Sequence, residues 1–271
     1  MTQTILITGA SSGIGKTTAE FFHEKGWNVV ATMRSPEKET ELTALKNVLV
    51  TNLDVTDEAS ISNAVAAGIE TFGKIDVLLN NAGYGAYGPL EAFPMKSIER
   101  QFNTNVIGLL AVTKAVLPHF RANKSGVIIN ISSIGGQMTF PLGTLYHGTK
   151  FAVEGMSESL HYELAPMGVK IKIVQPGMIK TDFGGRSFDF TNDESMTEYQ
   201  STVKALFGAW GGAGENASEP EVVSEVIWQA ATDGTDQLRY QAGEDAVALL
   251  AKRKAEDDIK FIGDMKSQLG L

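Results

Sequence analysis

The chain has 271 residues, no cysteine, and a net charge of −9 from 23 basic and 32 acidic side chains. Without cysteine there is no disulfide framework, thiolate nucleophile or cysteine-ligated zinc, and an acidic chain with no dense Lys/Arg run repels a phosphate backbone, which argues against nucleic-acid binding. Hydrophobic residues make up 43% and charged residues 20%, a globular balance at a length that suits one large α/β domain over 1–271.

The start of the chain has neither a basic leader nor an apolar run of signal length, and no later apolar span reaches about 18 residues, so a cytoplasmic location off the membrane is expected. Thr4 to Thr8 is a short apolar, β-rich run suited to a strand buried on both faces. Gly9-Ala10-Ser11-Ser12-Gly13-Ile14-Gly15 follows at once, and Lys16 to Lys25 reads as a helix ended by Gly26. Strand, glycine turn and helix in this order form a pyrophosphate cradle, because glycines let the backbone approach and the amides at the helix start meet the charge. A second hypothesis rests on the same residues. Ala10 to Thr17 is a phosphate-binding loop of nucleotide triphosphatases with alanine for its first glycine. It requires Lys16 on the β/γ-phosphates, Thr17 on magnesium, and an acidic metal partner such as Asp54 or Asp76.

The next strand is Asn28 to Met33. No acid occurs from Val29 to Pro36, where an NAD site carries one for the ribose hydroxyl. Arg34 stands just past the strand end with Ser35 beside it, which favours NADP(H) over NAD(H); a solvated strand-end cation is the other reading of Arg34. Val48 to Leu53 is a third strand, leading to Asp54-Val55-Thr56-Asp57, where Thr56 or Asp57 caps a helix running to about Phe72. Ile75 to Leu79 is the fourth, followed by Asn80-Asn81-Ala82-Gly83. This alternation predicts a doubly wound parallel sheet of about seven strands with helices on both faces, and ligands in such sheets bind beyond the carboxyl ends of the strands. Residues 9–15, 34, 54 and 80–83 then share one edge, although Asp54 also suits a helix start and Asn81 a turn.

Tyr84 to Pro94 reads as a loop on that edge. A long helical pattern runs from Met95 to Phe120, interrupted near Asn105 and Gly108. Asparagine is a poor interior helix residue, so Asn105 marks either a local bulge holding a water or a lysine, or a tolerated exposed side chain. Gly126 to Ser132 is the fifth strand, with Ser133 at its end; a helix from Tyr146 to about Ala165 follows. Val169 to Gln175 is the sixth, leading into Pro176-Gly177-Met178-Ile179-Lys180-Thr181. An irregular stretch over 182–217, with Phe183, Phe188, Phe190 and Trp210, reads as a mobile substrate-binding lid. A helix at Glu219 to Thr232, a last strand near Leu238 to Tyr240 and a charged helix from Asp245 complete the pattern.

Tyr146 and Lys150 lie about one helical turn apart, so phenol and ammonium share a face. A fixed cation favours the phenolate and suits the tyrosine to proton exchange with an alcohol or carbonyl oxygen. Taken alone, the pair equally describes a surface tyrosine lying along a lysine stem. The four histidines have no metal-ligand spacing, and no metal site is expected. His147 reads as packing, since neighbours on a helix face about 100° apart. Ser133 lacks the Gly-x-Ser-x-Gly elbow of a hydrolase.

Together, Thr8-Gly9-x-x-x-Gly13-Ile14-Gly15, Asn80-Asn81-Ala82-Gly83, Asn105, Ser133, Tyr146-x-x-x-Lys150 and Pro176-Gly177-x-x-x-Thr181 resemble the short-chain dehydrogenase/reductase family, in its compact single-domain branch. The resemblance implies a Rossmann-type three-layer αβα sandwich and reversible hydride transfer between a nicotinamide cofactor and a carbonyl or secondary alcohol. It implies Tyr146 as general acid/base, Ser133 on the carbonyl oxygen, Lys150 lowering the tyrosine pKa and binding the nicotinamide ribose, and Asn105 holding a relay water. It assigns the cofactor to Gly9, Ser11, Ser12, Gly13, Ile14, Gly15, Arg34, Ser35, Asp54, Val55, Asn81, Ala82, Gly83, Pro176, Gly177, Ile179 and Thr181 besides Tyr146 and Lys150. A bulky apolar ketone is the expected substrate, met by Tyr84, Tyr87, Phe140, Leu142, Leu145, Phe183 and Phe188, with Gln137 as polar selector. Arg239-Tyr240-x-x-Gly243-x-Asp245-Ala246 looks like members acting on hydroxysteroids and retinoids. The resemblance also implies a homodimer or homotetramer built through the helices near 95–120 and 146–165. A non-catalytic cofactor sensor is the remaining alternative; such a protein is expected to lack one of Ser133, Tyr146 and Lys150, and all are present.

Overall fold

The computed structural model describes residues 2–181, 185, 187–213 and 217–271. Among them, seven strands form one parallel sheet in the order β3-β2-β1-β4-β6-β7-β9: β1 (Thr4–Thr8), β2 (Asn28–Met33), β3 (Val48–Asn52), β4 (Val77–Asn80), β6 (Gly126–Ile131), β7 (Val169–Pro176) and β9 (Arg239–Ala242). The strands are apolar on both faces because both are covered. Ile5 and Ile7 of β1 point into a cluster with Ala19 and Phe22 of α1 (Gly13–Glu24) and Val223 and Ile227 of α7 (Pro220–Thr232). Leu6 between them points to the other face, against Ile61 and Val65 of α2 (Glu58–Phe72) and Val112 and Val116 of α4 (Leu109–Asn123). Each such side chain stabilises the fold by about 1.5–3 kcal/mol relative to exposure. The order reverses beside β1, so the crevice between the ends of β1 and β4 is the topological switch point where open α/β sheets bind ligands.

Local chemistry sets the element ends. The Asp57 carboxylate accepts from the Ala59 and Ser60 amides and starts α2, and Gly73 at φ 81° closes it. Asp76 fixes the opposite end of the sheet, accepting from Thr4 N at 2.8 Å and Lys74 Nζ at 2.6 Å. The interruption expected at Asn105 is a π-turn over Asn103–Gly108, joining α3 (Met95–Phe102) to α4. Gly108 is required there: a Cβ would lie 2.7 Å from Val55 Cγ2 and 2.9 Å from the Val55 carbonyl oxygen.

The sequence expectation differs from the structure in three places. The loop after Gly83 contains a strand, β5 (Gly85–Tyr87), which pairs in parallel with β8 (Phe188–Phe190). The stretch read as irregular over 182–217 holds β8 and a helix, α6 (Thr197–Ala213); its glycines and aromatics hid a helix that carries Leu206, Phe207 and Trp210 on its turns. The tail forms two helices, α8 (Glu244–Ala255) and α9 (Asp258–Leu269), the second capped by Asp257 accepting from Lys260 N. No described helix is long and apolar enough to cross a membrane.

Candidate active site

One cleft of about 960 Å³ opens along the carboxyl edge of the sheet. Its wall includes Gly9, Ser11, Ser12, Gly13 and Ile14 from the glycine turn, Arg34 beyond β2, Asp54 and Val55 beyond β3, and Asn81, Ala82 and Gly83 beyond β4. Ser133, Tyr146 and Lys150 line it too, as do Pro176, Gly177, Ile179 and Thr181. The structure thus brings together most of the residues that the sequence singled out. Gly15, Ser35, Asn105, Gln137, Leu142 and Leu145 do not line it, and Phe183 lies outside the described residues.

The glycine turn is shaped by contacts on both sides. Gly9 has φ +72°, and a Cβ on Gly15 would lie 2.3 Å from the Gly9 carbonyl oxygen. Gly15 therefore serves the close packing of helix against turn, not the cleft surface. The Asn81 side chain donates to Thr8 O at 2.9 Å and Gly9 O at 3.1 Å, while Asn81 N and Ala82 N both donate to Thr8 Oγ1 at 3.0 Å. These bonds staple the ends of β1 and β4 and present the turn's backbone to the cleft.

Lys16 faces elsewhere. Its ammonium pairs with Glu41 and lies 3.8 Å from Glu39. The Asp54 carboxylate is engaged by Thr56 N at 2.9 Å and Thr56 Oγ1 at 2.7 Å, and Asp76 belongs to the far end of the sheet. The triphosphatase hypothesis loses its phosphate lysine and its acidic partner together. Among the described residues no group of three or more His, Asp or Glu side chains could hold a metal ion.

Tyr146 and Lys150 project from the first turns of α5 (Thr144–Leu164). Burial pushes the Tyr146 phenol up to about 12, against a hydrogen bond with Ser133 that lowers it. Ser133 Oγ also accepts from Gly135 N at 3.0 Å. Lys150 Nζ donates to Ile131 O at 2.8 Å and sits 5.7 Å from the centre of the Tyr146 ring. Burial lowers Lys150 to about 8, opposed by the charge of Glu154 one turn along the helix. The expected lowering of the tyrosine by Lys150 is therefore not what dominates: burial and Ser133 set the phenol in this arrangement. Asn105 is buried and bonded to protein partners on two segments. Its amide donates to Tyr84 O at 2.9 Å and Thr149 Oγ1 at 3.1 Å, and its Oδ1 accepts from Tyr84 N at 3.1 Å. It clamps the strand after Gly83 onto the tyrosine-bearing helix.

The cleft has an apolar chamber lined by Tyr87, Phe140, Phe188, Phe207 and Trp210. Leu206, Leu142 and Phe190 pack in the same cluster with Tyr87 and Tyr146, and Tyr87 stacks edge-on to Trp210 at 4.9 Å between ring centres. Leu145 is buried instead with Ala86 and Phe93, and Gln137 caps a short turn, its amide donating to Ile134 O. Phe207, Trp210, Arg100 and Asp189 also line the cleft; the sequence placed Trp210 in a substrate-binding lid without assigning it to the site, and did not single out Phe207, Arg100 or Asp189. The aromatics of 182–217 signalled the first two; Arg100 and Asp189, paired across the mouth, had no local signal.

The turn at Pro176–Met178 is held from the tail of the chain. Asp245 in the first turn of α8 accepts from Met178 N at 2.7 Å, and a Cβ on Gly177 would lie 2.2 Å from its carboxylate. On the other side Ser218 N donates to Met178 O and Lys180 N to Ser218 O, both at 2.9 Å.

The family model for short chain dehydrogenases matches residues 3–192. An oxidoreductase of Schizosaccharomyces pombe is 46% identical over 239 residues, which cover 88% of this chain and all of the relative. A solved short-chain dehydrogenase from Streptomyces avermitilis superposes with a TM-score of 0.85 at 31% identity, covering 99% of this chain and 97% of that one. ElxO with NADP bound superposes with a TM-score of 0.75 at 29% identity, covering 92% of this chain and all of that one.

Proposed function

The chain belongs to the short-chain dehydrogenase family and is an oxidoreductase acting between CH–OH and C=O, and from that premise we propose that it is an NADP(H)-dependent reductase of bulky apolar ketones. The observation that carries this reading is that Ser133, Tyr146 and Lys150 line the same cleft as the glycine turn and Arg34. The residues fit the cofactor: Gly9, Ser11, Ser12 and Gly13 of the turn offer small residues to the cleft, and a Cβ on Gly13 would face Thr181 at 3.3 Å. Amides of the turn and the start of α1 would hold the pyrophosphate, Asp54 and Val55 would flank the adenine, and Ile179 and Thr181 would hold the carboxamide. Arg34, exposed at the rim, supplies the cation for a 2′-phosphate. The NADP bound to ElxO supports this choice by likeness.

When bound, the nicotinamide supplies the hydride. The chain's own residues do the rest. Ser133 donates a hydrogen bond to the substrate oxygen and stabilises the charge that grows there. Tyr146 gives that oxygen its proton; a phenol held near 12 is protonated at neutral pH, the form needed for reduction. Lys150, cationic below about 8, stabilises the phenolate left behind. Tyr87, Phe140, Phe188, Phe207 and Trp210 exclude water from the reacting centre and receive the apolar body of the substrate. The same reading makes the protein a single-domain cytoplasmic homo-oligomer of two or four copies, supported by Phe102, Ile107, Phe151 and Tyr162, exposed on α3, the π-turn and α5.

The test is consumption of NADPH and of NADH with a panel of bulky aliphatic and aromatic ketones, for wild type and Arg34→Ala. Turnover with NADPH is expected, with KM for NADPH raised by about 10- to 100-fold in the variant and KM for NADH nearly unchanged, as follows from loss of a charge-assisted bond. Equal effects on the two cofactors would remove the phosphate assignment.

A further inference from the structure

We propose that His147 is a positioning residue, whose imidazole pins the loop from Ser133 to Gly143 and thereby fixes both the Ser133 hydroxyl and the Phe140 wall of the chamber; this rests on the proposed reductase function. The ring is 3% exposed. Both of its nitrogens are used. Nδ1 lies 3.0 Å from the Gly135 carbonyl oxygen, and Nε2 lies 3.0 Å from the Phe140 amide nitrogen. A carbonyl only accepts and an amide only donates, so the ring is the neutral tautomer with its proton on Nδ1. Burial, which pushes His147 down to about 4, agrees with that neutral form.

The loop is built around this ring. A Cβ on Gly135 would lie 2.7 Å from Nδ1, and a Cβ on Gly143 would lie 2.5 Å from Cδ2. Between those glycines Leu142 holds φ +63°, a conformation that costs a non-glycine residue about 1–2 kcal/mol and persists only where its surroundings determine it. The Gly135 amide that donates to Ser133 Oγ belongs to the residue whose carbonyl the imidazole grips. The edges of Tyr146 and Tyr87 close the ring in at 5.5 and 5.8 Å between centres. His147 thus links the proton donor's helix to the hydroxyl that must share its target oxygen.

The experiment compares wild type with His147→Phe, which keeps a ring and loses both hydrogen bonds, and His147→Gln, which can reproduce one of them. Five quantities are read: kcat and KM with NADPH and a ketone, the Kd for NADPH from energy transfer from tryptophan, the melting temperature, and amide hydrogen exchange over 134–143 in the cofactor-free protein. The expected result is a fall in kcat of about tenfold or more for His147→Phe, a smaller fall for His147→Gln, a Kd within about twofold of wild type, and faster exchange confined to 134–143. Wild-type kcat and unchanged exchange in His147→Phe would overturn the proposal. So would a loss that follows melting temperature and raises the Kd in equal measure. If His147→Phe does not fold, the same criteria apply to His147→Gln. Should wild type turn over no ketone, the reductase reading fails while the exchange measurement still decides the pinning.

Discussion

At the scale of single residues the site combines two buried groups of opposite sense. Tyr146 is raised to about 12 and Lys150 lowered to about 8, each chiefly by burial. The lysine makes a testable contribution to stability. Unfolded, it keeps its proton up to its ordinary value of 10.5, whereas folded it releases it at about 8. The unfolded chain therefore binds more protons between these values, so stability rises with pH across that window and is lost as pH falls through 8. Denaturant melts should show wild type gaining about 1–2 kcal/mol from about pH 8 to about pH 10 relative to Lys150→Met; parallel curves would show that burial does not perturb the ammonium. Tyr146 does not confuse this comparison, because its raised value affects stability only above about 10. That the two residues share one helix face was legible from their spacing, whereas singling them out took the whole set of motifs. Which influence dominates the phenol was not, because burial and the Ser133 bond depend on elements distant in the chain. His147 shows the same limit: adjacency on a helix suggested idle packing, while its partners, Gly135 and Phe140, come from the preceding loop.

At the scale of elements, turns carry more of the site than regular structure does. The π-turn was foreshadowed by one ill-suited asparagine, and its outcome is a clamp on Tyr84 that no helical pattern contains. Asn105→Ala leaves the Tyr84 amide and carbonyl without those bonds. A loss of about 1–3 kcal/mol in equilibrium unfolding is expected, together with reduced turnover; an unchanged midpoint would mean that Tyr84 finds other partners. The tail behaves likewise. Asp245→Ala removes the acceptor for Met178 N, and NADPH binding is expected to weaken by about tenfold, consistent with about 1–2 kcal/mol for such a bond, whereas Asp245→Asn, which keeps an acceptor, should bind nearly as wild type does. Isothermal titration distinguishes these outcomes, and equal weakening in both variants would assign the effect to charge instead. The helix α6 was the least legible element, since glycine-rich composition outweighed its period.

At the scale of the whole molecule, a parallel sheet with both faces covered forces every strand to end on one edge, and that edge collects residues from 9 to 210 in a single cleft. This is why so much of the cleft could be read in order: alternation of strand and helix predicts the edge, and residues just past the strands line the cleft. The near match to a triphosphatase loop misled only locally, because the destination of Lys16 is decided by Glu39 and Glu41 on a different segment. The apolar chamber was legible in composition but not in membership, since β5, β8 and α6 meet there through long-range pairing. In the proposed reaction Tyr146 delivers a proton to a ketone oxygen while NADP(H) sits in the same cleft. A single-turnover measurement on wild type and Tyr146→Phe, each preloaded with NADPH and mixed with one accepted ketone, tests it directly. The predicted result is a rate of NADPH oxidation lower by about 10²-fold or more in the variant, the scale of general acid catalysis, with NADPH affinity unchanged. Oxidation at the wild-type rate in Tyr146→Phe would contradict it.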